Sequence, residues 1–144
     1  MKFSAVVLAT AAATGAIADT VFDVTRFGAR CKDVDIWCSY SFTIEPGTID
    51  SERYECSALV TNVEFGELPD TDEGTCNPPS RTFGIVRNDE GFTLTVSAQI
   101  SPDSVTKGSY LIPKKDFFQS KGSRNQVRSE WYIGSGNFPL ERVD

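Results

Sequence analysis

Three stretches of this chain alternate apolar and polar side chains with a period of two. Ile36, Cys38, Tyr40, Phe42 and Ile44 are interleaved with Trp37, Ser39, Ser41 and Thr43. Tyr54, Cys56, Ala58 and Val60 alternate with Glu55, Ser57, Leu59 and Thr61, and Phe92, Leu94, Val96 and Ala98 with Thr93, Thr95 and Ser97. A period of two puts every second side chain on one face of an extended strand, whereas a helix would repeat every 3.6 residues. Alternation this regular predicts antiparallel strands with one face buried. Further strands are predicted over residues 21–27, 82–86, 109–112 and 126–133. In the first, Phe22 and Val24 share a face that Phe27 does not, so a bulge near Thr25-Arg26 is expected to restore the register.

The separators are rich in turn residues. Glu45-Pro46-Gly47-Thr48 reads as a turn, and Asn88-Asp89-Glu90-Gly91 as a four-residue hairpin loop. Residues 68–80 are acidic, hold three prolines and read as a long surface loop pinned by Cys76. Only 102–107 and 114–120 are candidates for a helical turn. Seven or more short strands at this spacing predict an all-β fold, an antiparallel β-sandwich or barrel.

The N-terminus has a different character. Met1-Lys2 is followed by an apolar and small-residue run from Phe3 to Ala13, and Ala16-Ile17-Ala18 precedes polar Asp19-Thr20. This is the pattern of a secretory signal peptide over residues 1–18, too short for a membrane span. It leaves one small domain, 19–144. Those 126 residues carry 13 basic and 20 acidic side chains, a net charge of −7. A surplus of negative charge disfavours nucleic acid and anionic membranes as partners.

Four cysteines, Cys31, Cys38, Cys56 and Cys76, in a small exported chain predict two disulfides. Three connectivities are open. Sequential pairing is the simplest, each bridge then contributing ~2.5 to 3.5 kcal/mol by chain entropy. The spacings do not suit a metal site, and the chain contains no histidine.

Without histidine, Ser-His-Asp and Cys-His machinery is excluded, and the thiols are expected to be oxidised. Glu45, Glu52, Glu55, Asp89 and Glu90 are the acidic candidates for a glycosidase-type pair, but a domain this small leaves little room for the cleft such a pair serves. Asp70-Thr71-Asp72-Glu73-Gly74 resembles half a calcium loop. The glycine and glutamate that would complete it fall on Thr75 and Arg81. No catalytic residue, metal or cofactor is expected.

Charge is unevenly distributed: residues 19–106 sum to −10 and residues 107–144 to +3. The basic segment also holds large aromatics, and arginine with aromatics is the usual make-up of a binding hot spot. Lys114, Lys115, Phe117, Phe118, Lys121, Arg124, Arg128 and Trp131 are therefore the candidate partner-binding residues. Trp37, Trp131 or Tyr132, and Phe117 or Phe118 must point outward if their segments are strands. Such rings can bind proteins or stack on sugars, though large aromatics are mostly covered.

The order of these segments resembles a known family. Phe22-Asp23-Val24-Thr25-Arg26-Phe27-Gly28-Ala29 opens the domain, followed by Tyr40-Ser41-Phe42-Thr43-Ile44 and Tyr54-Glu55-Cys56-Ser57-Ala58. A loop ending at Cys76 follows, and then a hairpin of Phe83-Gly84-Ile85-Val86-Arg87 with Phe92-Thr93-Leu94-Thr95-Val96. Over residues 21–99 this resembles the fungal Alt a 1-like family of secreted allergens and plant elicitors. The resemblance implies fungal origin, secretion, a compact β-sandwich or barrel, and a non-enzymatic effector that engages an extracellular host protein or receptor. It implies the disulfide Cys56–Cys76. The family's later cysteine pair has no counterpart here. Cys31 and Cys38 lie near the N-terminus instead, so a monomer or non-covalent dimer is expected. The alternative is a carbohydrate- or small-molecule-binding module acting at a cell wall.

Overall fold

The computed structural model describes residues 19–47 and 51–143; the leader expected over residues 1–18 lies outside the described residues. Ten strands follow in order: β1 (Thr20–Lys32), β2 (Trp37–Glu45), β3 (Tyr54–Thr61), β4 (Thr71–Asn77), β5 (Arg81–Asn88), β6 (Gly91–Ser101), β7 (Ser104–Pro113), β8 (Phe117–Lys121), β9 (Val127–Tyr132) and β10 (Phe138–Val143). β1 to β7 form an antiparallel meander. β10 pairs with both β7 and β1 and closes an eight-stranded barrel. Closure pairs the strand edges that an open sheet would leave bare. The fold is thus a barrel and not a sandwich.

β1 is long enough to serve two partners on one edge. Residues 20–24 pair with β10, and residues 30–32 pair with β9. The β8–β9 hairpin therefore continues the barrel wall past the start of β10, at the end where β1 finishes and β2 begins. We call this the hairpin end. The β1–β2 tip, residues 62–70 and the β5–β6 turn lie there too.

At eight strands a barrel is just wide enough to be filled by its own side chains. Tyr40, Ile44, Ile85, Leu94, Ile112 and Leu140 fill it, each fully buried. Rings pack edge to face around them, as between Phe42 and Phe83 at 4.8 Å and Phe27 and Tyr132 at 4.9 Å. The bulge in β1 falls where the sequence places it. The β1–β2 register slips between Thr25 and Gly28, Arg26 turns to φ 56°, and Phe27 regains the core. Both disulfides join sequential cysteines, Cys31–Cys38 and Cys56–Cys76.

Several expectations are corrected. The loop expected over 68–80 contains β4, whose inward positions are Gly74 and Cys76; its strand state rests on backbone ladders to β3 and β5 and on the disulfide. Residues 102–107 form no helical turn: they enter β7, which reaches back to Ser104. Of 114–120, only Lys114–Asp116 makes a 3₁₀ turn, and β8 follows directly. The β5–β6 connection is tighter than four residues, because Asn88 already pairs with Gly91. Ile36 does not continue the inward row of β2. It precedes the strand and is exposed.

Tyr40 sits deep in the barrel with its hydroxyl donating to the Pro69 carbonyl at 2.7 Å. Burial, the dominant cause, holds this phenol far above its ordinary value of 10.0. A group whose pKa is raised by folding contributes stability that is complete below its unfolded pKa and is lost as pH climbs past it. Stability should therefore decline above about pH 10, by up to roughly 1.4 kcal/mol per pH unit for the single proton. Tyr40→Phe should cost about 1 kcal/mol at neutral pH through the lost hydrogen bond and flatten that alkaline decline. Urea unfolding across this alkaline range checks it; an unchanged slope in Tyr40→Phe refutes the assignment.

Candidate docking surface

Residues 62–70 cross the hairpin end as a strap. Leu68 drops into the barrel and is 1% exposed. A buried ion pair grips the strap there. Glu130 on β9 accepts the Leu68 N–H at 2.8 Å, and Arg87 on β5 donates to the Leu68 carbonyl at 2.9 Å. Arg87 also donates to Glu130 through both terminal guanidinium nitrogens, Gln119 donates to Glu130 at 3.0 Å, and Arg87 lies over the Phe92 ring. A buried charge is tolerated only when paired and fully hydrogen-bonded. Here both carboxylate oxygens of Glu130 are engaged, by the Leu68 N–H, Arg87 and Gln119.

Asn62 locks the start of the strap to the β1–β2 tip. Its amide donates to the Lys32 carbonyl at 2.7 Å and the Asp35 carbonyl at 2.8 Å, and it accepts the Gly66 N–H at 3.0 Å. The Cys31–Cys38 bridge staples the base of the same tip. The tip is also tied to the β8–β9 hairpin: Asp33 N–H donates to the Arg128 carbonyl at 2.8 Å, and Arg128 Nε donates to the Asp33 carboxylate at 2.8 Å. Gly66 lies at φ 117°, where a Cβ would stand 2.6 Å from the Arg128 carbonyl oxygen, so only glycine fits.

This framework presents six apolar side chains to solvent. Val34, Ile36, Trp37, Leu59, Val63 and Phe65 are all exposed, Val34 at 79% and Phe65 at 70%. Trp37 and Leu59 are diagonal neighbours on the outer face of β2 and β3. Phe65 is held at φ 47°, a left-handed conformation that bulky residues avoid. Exposed apolar side chains grouped on well-tied loops are the mark of a binding surface. Carboxylates surround them, from Asp33 and Asp35 through Glu64 and Glu67 to Asp70.

The residues singled out from the basic segment do not make one patch. β8 and β9 pair Phe117 with Tyr132 and Gln119 with Glu130 on the inner face, and Phe118 with Trp131 and Ser120 with Ser129 on the outer. Phe117 packs on Phe92 at 4.3 Å as part of the core margin. Phe118 and Trp131 are exposed and touch at 4.9 Å. Trp37 is also exposed, so these three rings are not covered by a second layer. Lys114 and Lys121 rim a groove of about 470 Å³ between β8 and the β5–β6 turn, whose floor is Arg87 and Glu130. Lys115 and Arg124 are exposed away from it, Arg124 at the hairpin turn, and Arg128 joins Asp33.

The carboxylates considered for hydrolysis fall into two groups at opposite ends of the barrel. Glu45 is engaged by Thr25 and Arg53, and Glu55 by Thr43 and Arg26, while Asp89 and Glu90 form the β5–β6 turn. Of the half calcium loop, residues 71–74 belong to β4, and Asp70 just before it accepts the Arg87 N–H at 2.8 Å. Among the described residues, no group of three or more cysteine, aspartate or glutamate side chains is placed to hold a metal. Also among them, no helix is long and apolar enough to cross a membrane.

Val34, Val63 and Phe65 escaped the sequence reading. Each lies in a short stretch where apolar and acidic residues alternate, a pattern that reads as strand although these residues fall in loops. The spacing Asn62-x-x-x-Gly66 was the one local hint of a fixed loop. No family model, no curated protein and no solved structure matches the chain.

Proposed function

We propose that the protein is a secreted, non-enzymatic effector or elicitor that acts by docking its hairpin end on an extracellular host protein. The observation that carries this is the group Val34, Ile36, Trp37, Leu59, Val63 and Phe65, exposed yet held by Asn62, a disulfide and the Glu130–Arg87 pair. Two disulfides suit the oxidising space outside the cell. A filled barrel leaves its outer surface and loop end for recognition, where binding residues concentrate. The likeness to secreted elicitors over residues 21–99 supports a plant host and a fungal source.

Purified protein infiltrated into leaves, beside a reduced and alkylated control, tests the reading. Cell death or defence signalling from the folded form alone is expected. A pull-down from apoplastic fluid run against a glycan array separates a protein partner from a sugar, and capture of glycans alone overturns the reading.

The basic hairpin borders this surface. Lys121→Glu with Arg124→Glu should shift stability by only ~0–1 kcal/mol, since both are exposed. Adding Arg128→Glu sets two carboxylates together at Asp33 and should loosen the β1–β2 tip. Leaf activity should fall mainly at that third step, as read by dose–response of the double and triple variants. Equal loss in the double variant would instead place the contact on the hairpin turn.

A further inference from the structure

Among the described residues, β3 and β4 pair at only three positions, Glu55 with Asn77, Cys56 with Cys76 and Ser57 with Thr75. β3 runs on to Thr61, still paired with β2 on its other edge, and β4 begins at Thr71. Between the two lies an open seam of about 660 Å³, walled by Trp37, Leu59, Val63, Pro69, Asp70 and Glu73.

The disulfide fixes which backbone groups face this seam. Antiparallel partners alternate between a wide hydrogen-bonded pair, Cα to Cα ~5.5 Å, and a narrow non-hydrogen-bonded pair, ~4.5 Å. Cys56 and Cys76 lie at 3.9 Å and are a narrow pair. Ser57 is then a hydrogen-bonding position towards β4, and so by alternation are Leu59 and Thr61. Their N–H and C=O groups point into the seam, and among the described residues no hydrogen bond reaches them from β4 or the strap. A row of free strand-edge groups beside exposed apolar side chains is a template for another strand.

We propose that this seam is a strand-addition site, which takes an extended basic segment of the partner along β3. The proposal rests on the docking reading and names the partner's chemistry. Asp70 and Glu73 stand in the seam and none of its lining residues is basic. Lysine or arginine in the incoming segment would meet these carboxylates, and its apolar residues would meet Trp37, Leu59 and Val63. A second copy meeting it seam to seam would bring carboxylates against carboxylates.

The probe is an acetylated, amidated octapeptide alternating lysine and valine, titrated into isotope-labelled protein. Saturable binding in the sub-millimolar range is expected, with amide exchange at Leu59 and Thr61 slowed about tenfold or more. N-methylation of every peptide bond should abolish binding, a glutamate–valine octapeptide should not bind, and Glu73→Lys should weaken binding several-fold. Equal binding of the methylated peptide, unchanged exchange at Leu59 and Thr61, or no saturable binding overturns the proposal. So does slowed exchange at those amides caused by raised protein concentration alone, which would make a second copy the occupant. Val34→Ser with Phe65→Asn leaves the seam intact. If those changes end leaf activity while the octapeptide fails to bind the native protein, docking stands and strand addition falls.

Discussion

Replacing Glu130 by glutamine is expected to lower the unfolding free energy by about 2 to 3 kcal/mol. Breaking a buried ion pair by removing one charge costs ~3–5 kcal/mol, because the other charge stays behind uncompensated. The figure is trimmed here because Arg87 keeps 32% of its side chain in water, whereas Glu130 keeps 3%. Glutamine can still accept the Leu68 N–H, but its amide nitrogen would face a guanidinium, donor against donor. For a domain of this size the loss corresponds to a fall in Tm of roughly 8 °C. Thermal unfolding measures it, and amide exchange at Leu68 shows where the damage lies. Loss should centre on the strap, residues 62–70, since Glu130 and Arg87 together hold both backbone groups of Leu68. Changing Glu130 and Arg87 together to methionine should recover part of the loss, because two apolar neighbours leave no charge stranded. A fall below about 1 kcal/mol in the single variant would mean that the pair ornaments the strap and does not anchor it.

How far sequence leads depends on where each structural cause resides. β2, β3, β5 and β6 are visible because each buries one face, and burial writes itself as alternation. Even the β1 bulge is visible, since Val24 and Phe27 are out of phase. β4 is invisible because it buries almost nothing of its own beyond Cys76; its cause is the ladder to its neighbours. β8 and β10 are short, and adjacent Phe117 and Phe118 serve two faces at once. The β1–β2 tip misled the reading at Ile36 because the alternation extends one residue past the strand. The exposed apolar loops were hidden for a deeper reason. Exposure of Val34 or Phe65 is a property of the assembled barrel, and the contacts that fix them, Asn62 to Lys32 and Glu130 to Arg87, span 30 and 43 residues. Charge pointed to the C-terminal segment, whose β8–β9 hairpin lies beside these loops and is tied to the β1–β2 tip through Arg128 and Asp33.

Changing Phe65 to asparagine together with Val34 to serine should move stability and activity in opposite directions. Phe65 occupies the left-handed region at φ 47°, which asparagine tolerates far better than a bulky side chain. Relieving such a conformation is worth about 1 kcal/mol. Both side chains are mostly in solvent, so little packing is lost. The variant should be as stable as the native protein or slightly more so, with an unchanged circular dichroism spectrum. Binding should behave otherwise. A large apolar side chain at the centre of an interface contributes about 2 kcal/mol or more when truncated. The loss at Phe65 alone corresponds to roughly thirtyfold in affinity at 1.4 kcal/mol per tenfold, and the smaller Val34 adds to it. Leaf activity should therefore need at least about thirty times more protein, or vanish. A folded double variant with full activity would remove these loops from the interface, and the exposed Phe118–Trp131 pair would be the surface to test next. Higher stability with lost activity is the outcome a core role cannot produce, because truncating a core residue leaves a cavity and always costs stability. That combination would identify Phe65 as a residue kept in a strained, wet position for the sake of what it touches in the partner.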